Sequence, residues 1–212
     1  MADYLPIFIN TDGLNCLVVG GGKIALRKIL ALLRFQVKIT VVSEEINHGL
    51  RKLLKRGLIT WKKGKFSPCD LSGLQMVIAA ANHPETNHII CRWAEGFGIL
   101  CNVVDDPRSS GFIFSAVHRM ESLTIAVSTQ GAVPALARKI KREIAGLYGK
   151  DYGDYLGKLS RMRQYLKTIE PDIQKRRRIL HQLVRAPRQK IQTLDEMKLK
   201  EELTNGLLFN RN

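Results

Sequence analysis

The sequence predicts an α/β fold: a parallel-sheet domain, then a small α+β segment, then a basic helical C-terminal part. Three observations predict it. Short apolar runs alternate with helically spaced segments over about the first hundred residues, the pattern of a parallel sheet with right-handed crossovers. The first run ends in Gly20-Gly21-Gly22 and opens directly into a helix. After Asp105-Asp106-Pro107 the period changes to that of a hairpin, and helical spacing with a heavy basic excess follows. A Rossmann-like domain therefore covers residues 1–113, the small segment 114–147, and the helical part 148–212.

In chain order, residues 16–20 (CLVVG) form the first strand, and residues 23–33 a helix with Ile24, Leu26, Ile29, Leu30 and Leu33 apolar. The β-branched run 37–42 (VKITVV) is the second strand, closing one βαβ unit. Residues 50–58 read as a helix, 59–62 as a short strand, and 76–81 (MVIAAA) as a buried parallel strand. A helix over 87–96 leads into the strand 100–104 (LCNVV). Strands at 112–117 and 123–127 are joined by a polar turn near residues 119–122. Gly131-Ala132-Val133-Pro134 starts a helix to about residue 147, and residues 152–185 are helical and basic. From Pro187 onward the chain reads as a loosely attached polar tail with one short helix.

The net charge is +15, and it is unevenly placed. Between Arg138 and Lys190 there are 16 Lys or Arg against 5 Asp or Glu, so that stretch holds 11 of the 15 charges. Such a field gathers anionic partners, whether nucleic acid, acidic lipid or a polycarboxylate metabolite. No apolar run reaches the roughly 18–20 residues of a membrane span, and the first residues lack a basic flank and an apolar signal core, so the expected location is the cytoplasm and no membrane partner is expected. Cys16, Cys69, Cys91 and Cys101 have no CxxC spacing and read as buried structural residues. His48, His83, His88, His118 and His181 lack metal-ligand spacing, so no resident metal is expected.

Gly20-Gly21-Gly22-Lys23-Ile24-Ala25 fits G-x-G-x-x-G/A at the strand-to-helix position that the dinucleotide fingerprint requires. Gly20 permits the tight turn, Gly22 leaves room for a pyrophosphate, and Ala25 lets helix and sheet approach closely. Glu44 and Glu45 follow the second strand, 24 and 25 residues after Gly20, where an acidic side chain accepts hydrogen bonds from the ribose hydroxyls. This favours NAD as cofactor over NADP. The competing reading is that both glutamates are first-turn charges of the next helix.

Tyr4-Leu5-Pro6-Ile7-Phe8, Val18-Val19-Gly20-Gly21-Gly22 with Ala25 and Arg27-Lys28, Val77-Ile78-Ala79-Ala80, Asn102-Val103-Val104-Asp105-Asp106 and Phe112-Ile113-Phe114 together resemble the precorrin-2 dehydrogenase family, found alone or as the N-terminal part of multifunctional sirohaem synthases. The resemblance is dense over residues 1–150. It implies NAD-dependent oxidation of precorrin-2 to sirohydrochlorin, with ferrous iron as a substrate in members that also make sirohaem. It makes Asp105 the functional carboxylate. A carboxylate ending a parallel strand can act as general base or accept pyrrole N–H protons; the plainer reading is a turn residue, as Asp106 before Pro107 is expected to be.

The resemblance maps cofactor contacts onto Lys23 and Ile24, and onto Glu44 and Glu45. It makes residues 128–134 a substrate-facing loop with Ser128, Thr129 and Gly131, though Thr129-Gln130 stands where relatives commonly carry serines, and Ser128 can equally serve as a helix cap. Arg138, close behind, is a candidate contact for the eight carboxylates of the implied substrate. A homodimer built through segment 114–147 is also implied. Chain length against ordinary domain sizes leaves no room for a methyltransferase domain of ~250 residues, so methylation is expected elsewhere. The alternative function is an NAD-sensing or nucleic-acid-binding module using the basic helices. Without interleaved aromatics around Lys175-Arg176-Arg177-Arg178, no nucleic-acid partner is expected.

Overall fold

The computed structural model describes residues 3–204 and divides into two compact units: residues up to Phe114 together with Gln130–Ala132, and Ser115–Thr129 together with the chain from Val133 onward. In the first unit five strands, β1 (Asn15–Val19), β2 (Lys38–Ser43), β3 (Thr60–Lys63), β4 (Met76–Ala79) and β5 (Leu100–Val103), form one parallel sheet in the order β3-β2-β1-β4-β5. β1 lies between β2 and β4, with Val18 opposite Val41 on one side and Ile78 on the other. This is the Rossmann-like sheet, and the strand order reverses at β1, directly ahead of the glycines.

Strands buried on both faces need apolar residues at every position, which is why β4 (MVIA) and most of β1 (NCLVV) are continuous apolar runs. One face packs against α1 (Lys23–Leu33) and α2 (His48–Lys55) through Cys16, Val18, Val41 and Ile78. The other packs against α3 (Pro84–Gly96) through Leu17, Val19, Val77 and Val103.

α1 buries Ala25, Ile29 and Leu32, whereas Ile24 and Leu30, two of the apolar positions in its helical pattern, are exposed. α2 begins at His48 because the Asn47 side chain accepts from the Leu50 N–H at 2.9 Å, so Glu44 and Glu45 lie outside the helix and are not first-turn charges. The strand expected over residues 112–117 begins instead at Ala116. Residues 112–114 leave the ladder because Phe112 and Phe114 turn onto the α1 face of the sheet and the Phe112 carbonyl accepts from Asn102 Nδ2 at 2.9 Å.

In the second unit β6 (Ala116–Met120) and β7 (Leu123–Val127) form an antiparallel hairpin closed by Glu121-Ser122, with α4 (Pro134–Leu147) against it. The long basic segment is two helices, α5 (Lys150–Ile169) and α6 (Ile173–Arg185). The chain breaks at Pro171 and restarts where Asp172 Oδ1 accepts from Gln174 and Lys175 N–H groups. The stretch after Pro187 is not a loose tail. Within the described residues it forms α7 (Arg188–Thr193) and α8 (Glu196–Thr204), and it buries Ile191, Leu194 and Leu199 against Met162, Leu166, Ile179 and Leu183. In a stretch this polar and charged, three apolar residues do not announce a core; packing against α5 and α6 recruits them.

Candidate functional site

The three glycines meet three different neighbourhoods. Gly20 has φ +122°, and a Cβ there would stand 2.1 Å from the Ala80 carbonyl oxygen. The chain can turn there only without a side chain, because Gly20 N–H donates to Val42 O at 2.9 Å while Ala80 N–H donates to Val19 O at 2.8 Å. Gly21 is tighter still: a Cβ would fall 1.8 Å from the Glu45 carbonyl oxygen and 2.9 Å from Ser43 Oγ. The fingerprint leaves this middle position open, so reading the motif alone overlooks that the loop after β2 closes on it. Gly22, the N-cap of α1, faces open space, with nothing within 4 Å of a Cβ and no side chain capping the helix.

Lys23 and Ile24 occupy the first turn of α1, which contains no acidic residue, and Ile24 is a partly exposed apolar side chain there. N–H groups at this end complement a pyrophosphate. Glu44 and Glu45 are exposed in the connection between β2 and α2. Ser43 Oγ, at the end of β2, is buried and has no hydrogen-bond partner among the described residues. The cradle thus offers clearance at Gly22, helix-end N–H donors and the unpartnered Ser43 hydroxyl, so the residues present fit NAD. Nothing in the sequence distinguishes Ser43, because a Ser ending a strand looks like a turn residue.

At the C-terminal end of β5, two strands away in the sheet, Asp105 is exposed in the turn with φ +61°, a left-handed conformation that a non-glycine residue rarely holds. Asp106 builds that turn: its carboxylate accepts from Arg108 N–H at 3.0 Å, Ser109 N–H at 3.3 Å and Ser109 Oγ at 2.7 Å. These bonds, the Ser109 hydroxyl foremost, hold its carboxyl below the usual carboxylate range. Ser110 Oγ ties the turn back to β5 through the Val103 N–H and carbonyl, and the Tyr4 hydroxyl donates to Pro107 and Ser110 carbonyls. Asp105 therefore projects from a braced turn while taking no part in the bracing.

Lys28, to which the resemblance gives no role, lies on α1. Its Nζ lies 4.0 Å from the centroid of the Phe114 ring, and the Phe114 and Phe112 rings pack with centroids 5.5 Å apart and planes tilted by 49°. Burial, with help from Arg27, pushes the Lys28 amine down to about 8, while the Asp105 carboxylate acts in the opposite direction. The signal was present: Lys28 sits three residues after Ala25 and four before Leu32, on the buried face of α1.

Gly131 lies beside the Asp105 turn, since a Cβ there would be 3.2 Å from Pro107 Cγ. Ser128, Thr129 and Arg138 belong to the second unit, where Ser128 and Arg138 are exposed and Thr129 Oγ1 accepts from the Val133 N–H at 3.2 Å at the start of α4. His118 is on β6 with Nε2 2.6 Å from the Tyr148 carbonyl oxygen. Among the described residues no group of three or more His, Cys, Asp or Glu can hold a metal ion, and no helix is long and apolar enough to cross a membrane. Cys16, Cys91 and Cys101 are buried and Cys69 is exposed. Burial pushes the Cys16 thiol up to about 12.

The family model described as "Putative NAD(P)-binding" matches residues 7–116, more than half of the chain. The chain belongs to this NAD(P)-binding family. Residues 121–147 of this NAD(P)-binding protein also match the model described as "Sirohaem biosynthesis protein central". Similar curated proteins include a siroheme synthase of Chromobacterium violaceum, 35% identical over 185 residues covering 87% of this chain and 39% of that protein. A siroheme synthase of Nitrosomonas europaea is 37% identical over 181 residues covering 85% of this chain and 36% of that protein. The chain thus spans about two fifths of the length of the curated relatives it matches. A solved structure, "SirC, precorrin-2 dehydrogenase", superposes with a TM-score of 0.72 over 95% of this chain and 98% of that one at 23% identity, which shows a shared fold.

Proposed function

We propose that the chain is an NAD-dependent dehydrogenase that oxidises precorrin-2 to sirohydrochlorin in sirohaem biosynthesis. The observation that carries the proposal is the exposed Asp105 carboxylate, held left-handed in a braced turn at the same sheet edge as an open glycine cradle. A carboxylate so placed is available to a reacting molecule beside a dinucleotide. The siroheme synthases among its relatives support the substrate and favour the enzyme over an NAD-sensing or nucleic-acid-binding module.

In this reading Gly20 and Gly22 clear space for the pyrophosphate, the first-turn N–H groups of Lys23 and Ile24 face it, and Glu44 and Glu45 accept from the ribose. An extra ribose phosphate would be repelled by two carboxylates, which favours NAD over NADP. When bound, the nicotinamide accepts a hydride. Oxidation removes two hydrogens from the macrocycle, so one C–H electron pair leaves with its hydrogen as hydride and the other hydrogen leaves as a proton, which Asp105 takes as general base.

Ser128, Thr129, Gly131 and Arg138 are assigned to the tetrapyrrole on the strength of the resemblance. Segment 114–147 is assigned to a homodimer interface, and the location to the cytoplasm. The test is anaerobic incubation of precorrin-2 with the protein and NAD, following NADH and the tetrapyrrole spectrum, and then addition of ferrous iron as a substrate. NADH formation supports the dehydrogenase, and an iron-dependent change above the spontaneous rate adds the chelatase step. Folded, NAD-binding protein that makes no NADH refutes the proposal.

A further inference from the structure

Lys28 is chemically unsatisfied. Its side chain is mostly withdrawn from water, its ammonium rests on the Phe114 ring at 4.0 Å, and among the described residues it forms no hydrogen bond or salt bridge. A buried cation without an acceptor is costly, and an aromatic face replaces only part of the lost hydration. Two charges act on it: Arg27 on its own helix, which repels it, and Asp105 in the turn after β5, which attracts it.

The direction of the side chain matters. α1 starts at the C-terminal edge of the sheet, and side chains on a helix lean toward its N-terminus, so Lys28 reaches back toward that edge. A second unsatisfied group shares this face. Asn102 pairs with Ile78 in the β4–β5 register, on the α1 side of the sheet, and its Oδ1 is buried without a partner while Nδ2 holds Phe112. Phe112, Phe114, Asn102 and Lys28 thus form an aromatic shelf with one idle acceptor and one idle cation beside the Asp105 turn.

A polyanionic molecule brought to Asp105 would be repelled by that carboxylate unless a cation stood next to it. We propose that Lys28 is a substrate-binding residue, whose ammonium on the Phe114 ring receives one carboxylate of a polycarboxylated tetrapyrrole and so helps hold the macrocycle at Asp105. This inference rests on the dehydrogenase reading above. It makes binding depend on pH, since the cation is lost as pH rises through about 8.

The experiment measures anaerobic sirohydrochlorin binding by quenching of tryptophan fluorescence, at about pH 7 and about pH 9, for the wild type, Lys28→Met and Lys28→Arg. NAD affinity and NADH formation from precorrin-2 are measured on the same samples. Loss of one charge-assisted contact should weaken tetrapyrrole binding about 10-fold in Lys28→Met, and raise KM to match, with NAD affinity unchanged. Wild-type affinity should fall between the two pH values, and Lys28→Arg, which stays charged, should not follow it. Lys28→Met that binds sirohydrochlorin as tightly as the wild type overturns the assignment. So does an equal loss of NAD affinity, which would give Lys28 to a cofactor phosphate. A wild type that makes no NADH and binds no sirohydrochlorin overturns the dehydrogenase reading itself, an outcome distinct from the other two.

Discussion

Replacing the glycines of the loop one at a time should separate folding from binding. At Gly20 an alanine is strained twice: φ +122° is a region that side chains avoid, and Cβ would stand 2.1 Å from the Ala80 carbonyl oxygen. That oxygen cannot retreat freely, because Ala80 N–H is bonded to the end of β1 and Gly20 N–H to the end of β2. The backbone strain costs about 1–3 kcal/mol and the overpacking about 1–3 more, so Gly20→Ala should lose roughly 2–6 kcal/mol. A domain of this kind has only ~5–15 kcal/mol in total, so much of the chain would be lost to unfolding at moderate urea. Gly22 is the control, with φ −85° and nothing within 4 Å of a Cβ. Gly22→Ala should shift the urea midpoint by less than ~1 kcal/mol equivalent yet weaken NAD, and Gly22→Asp should abolish NAD binding by setting a carboxylate against the pyrophosphate. Urea unfolding and calorimetric NAD titration on the three variants test this. A Gly20→Ala protein as stable as the wild type, or a Gly22→Asp protein that binds NAD normally, would refute the reasoning.

Asp105→Asn retains a residue type that tolerates φ +61° and should lower turnover ~100-fold or more with NAD affinity and melting temperature preserved, whereas Asp105→Ala should also lose stability; steady-state rates and thermal melts distinguish them. Lys28 has a folded-state pKa of about 8 against an ordinary 10.5, so the unfolded chain binds more protons between those values and wild-type stability rises across that window. Discounted for partial exposure, Lys28→Met should be more stable than the wild type by about 1–2 kcal/mol at neutral pH, and the gap should close above about pH 10; urea midpoints against pH measure it. Leu199→Ala should cost ~2–5 kcal/mol because Leu199 is fully buried in the helical core, and an unchanged melting curve would return this segment to the status of a tail.

How much was legible in the sequence follows from the range of the physics. The parallel sheet, its helices and the glycine turn depend on local periodicity and on residue types with few conformational options, so MVIA at β4 and the run from Val18 to Ala25 announce themselves without tertiary information. The strand expected at residue 112 was misplaced because Phe112 and Phe114 carry strand-like composition but are claimed by the α1 face of the sheet. The segment beyond Pro187 reads as tail because it is polar and charged, and its apolar residues Ile191, Leu194 and Leu199 gain meaning only from the core that α5 and α6 provide.

The same division holds at the site. Gly20, Gly22 and Asp105 could be named from the chain, since a fingerprint and a strand end are contiguous in sequence. The closeness of Gly21 to Glu45, the idle hydroxyl of Ser43, and the aromatic shelf under Lys28 are made by residues from different strands, helices and loops. Burial and charge proximity are properties of that assembled neighbourhood, and they shift a lysine's pKa or orphan a hydroxyl only once the sheet has brought distant residues together.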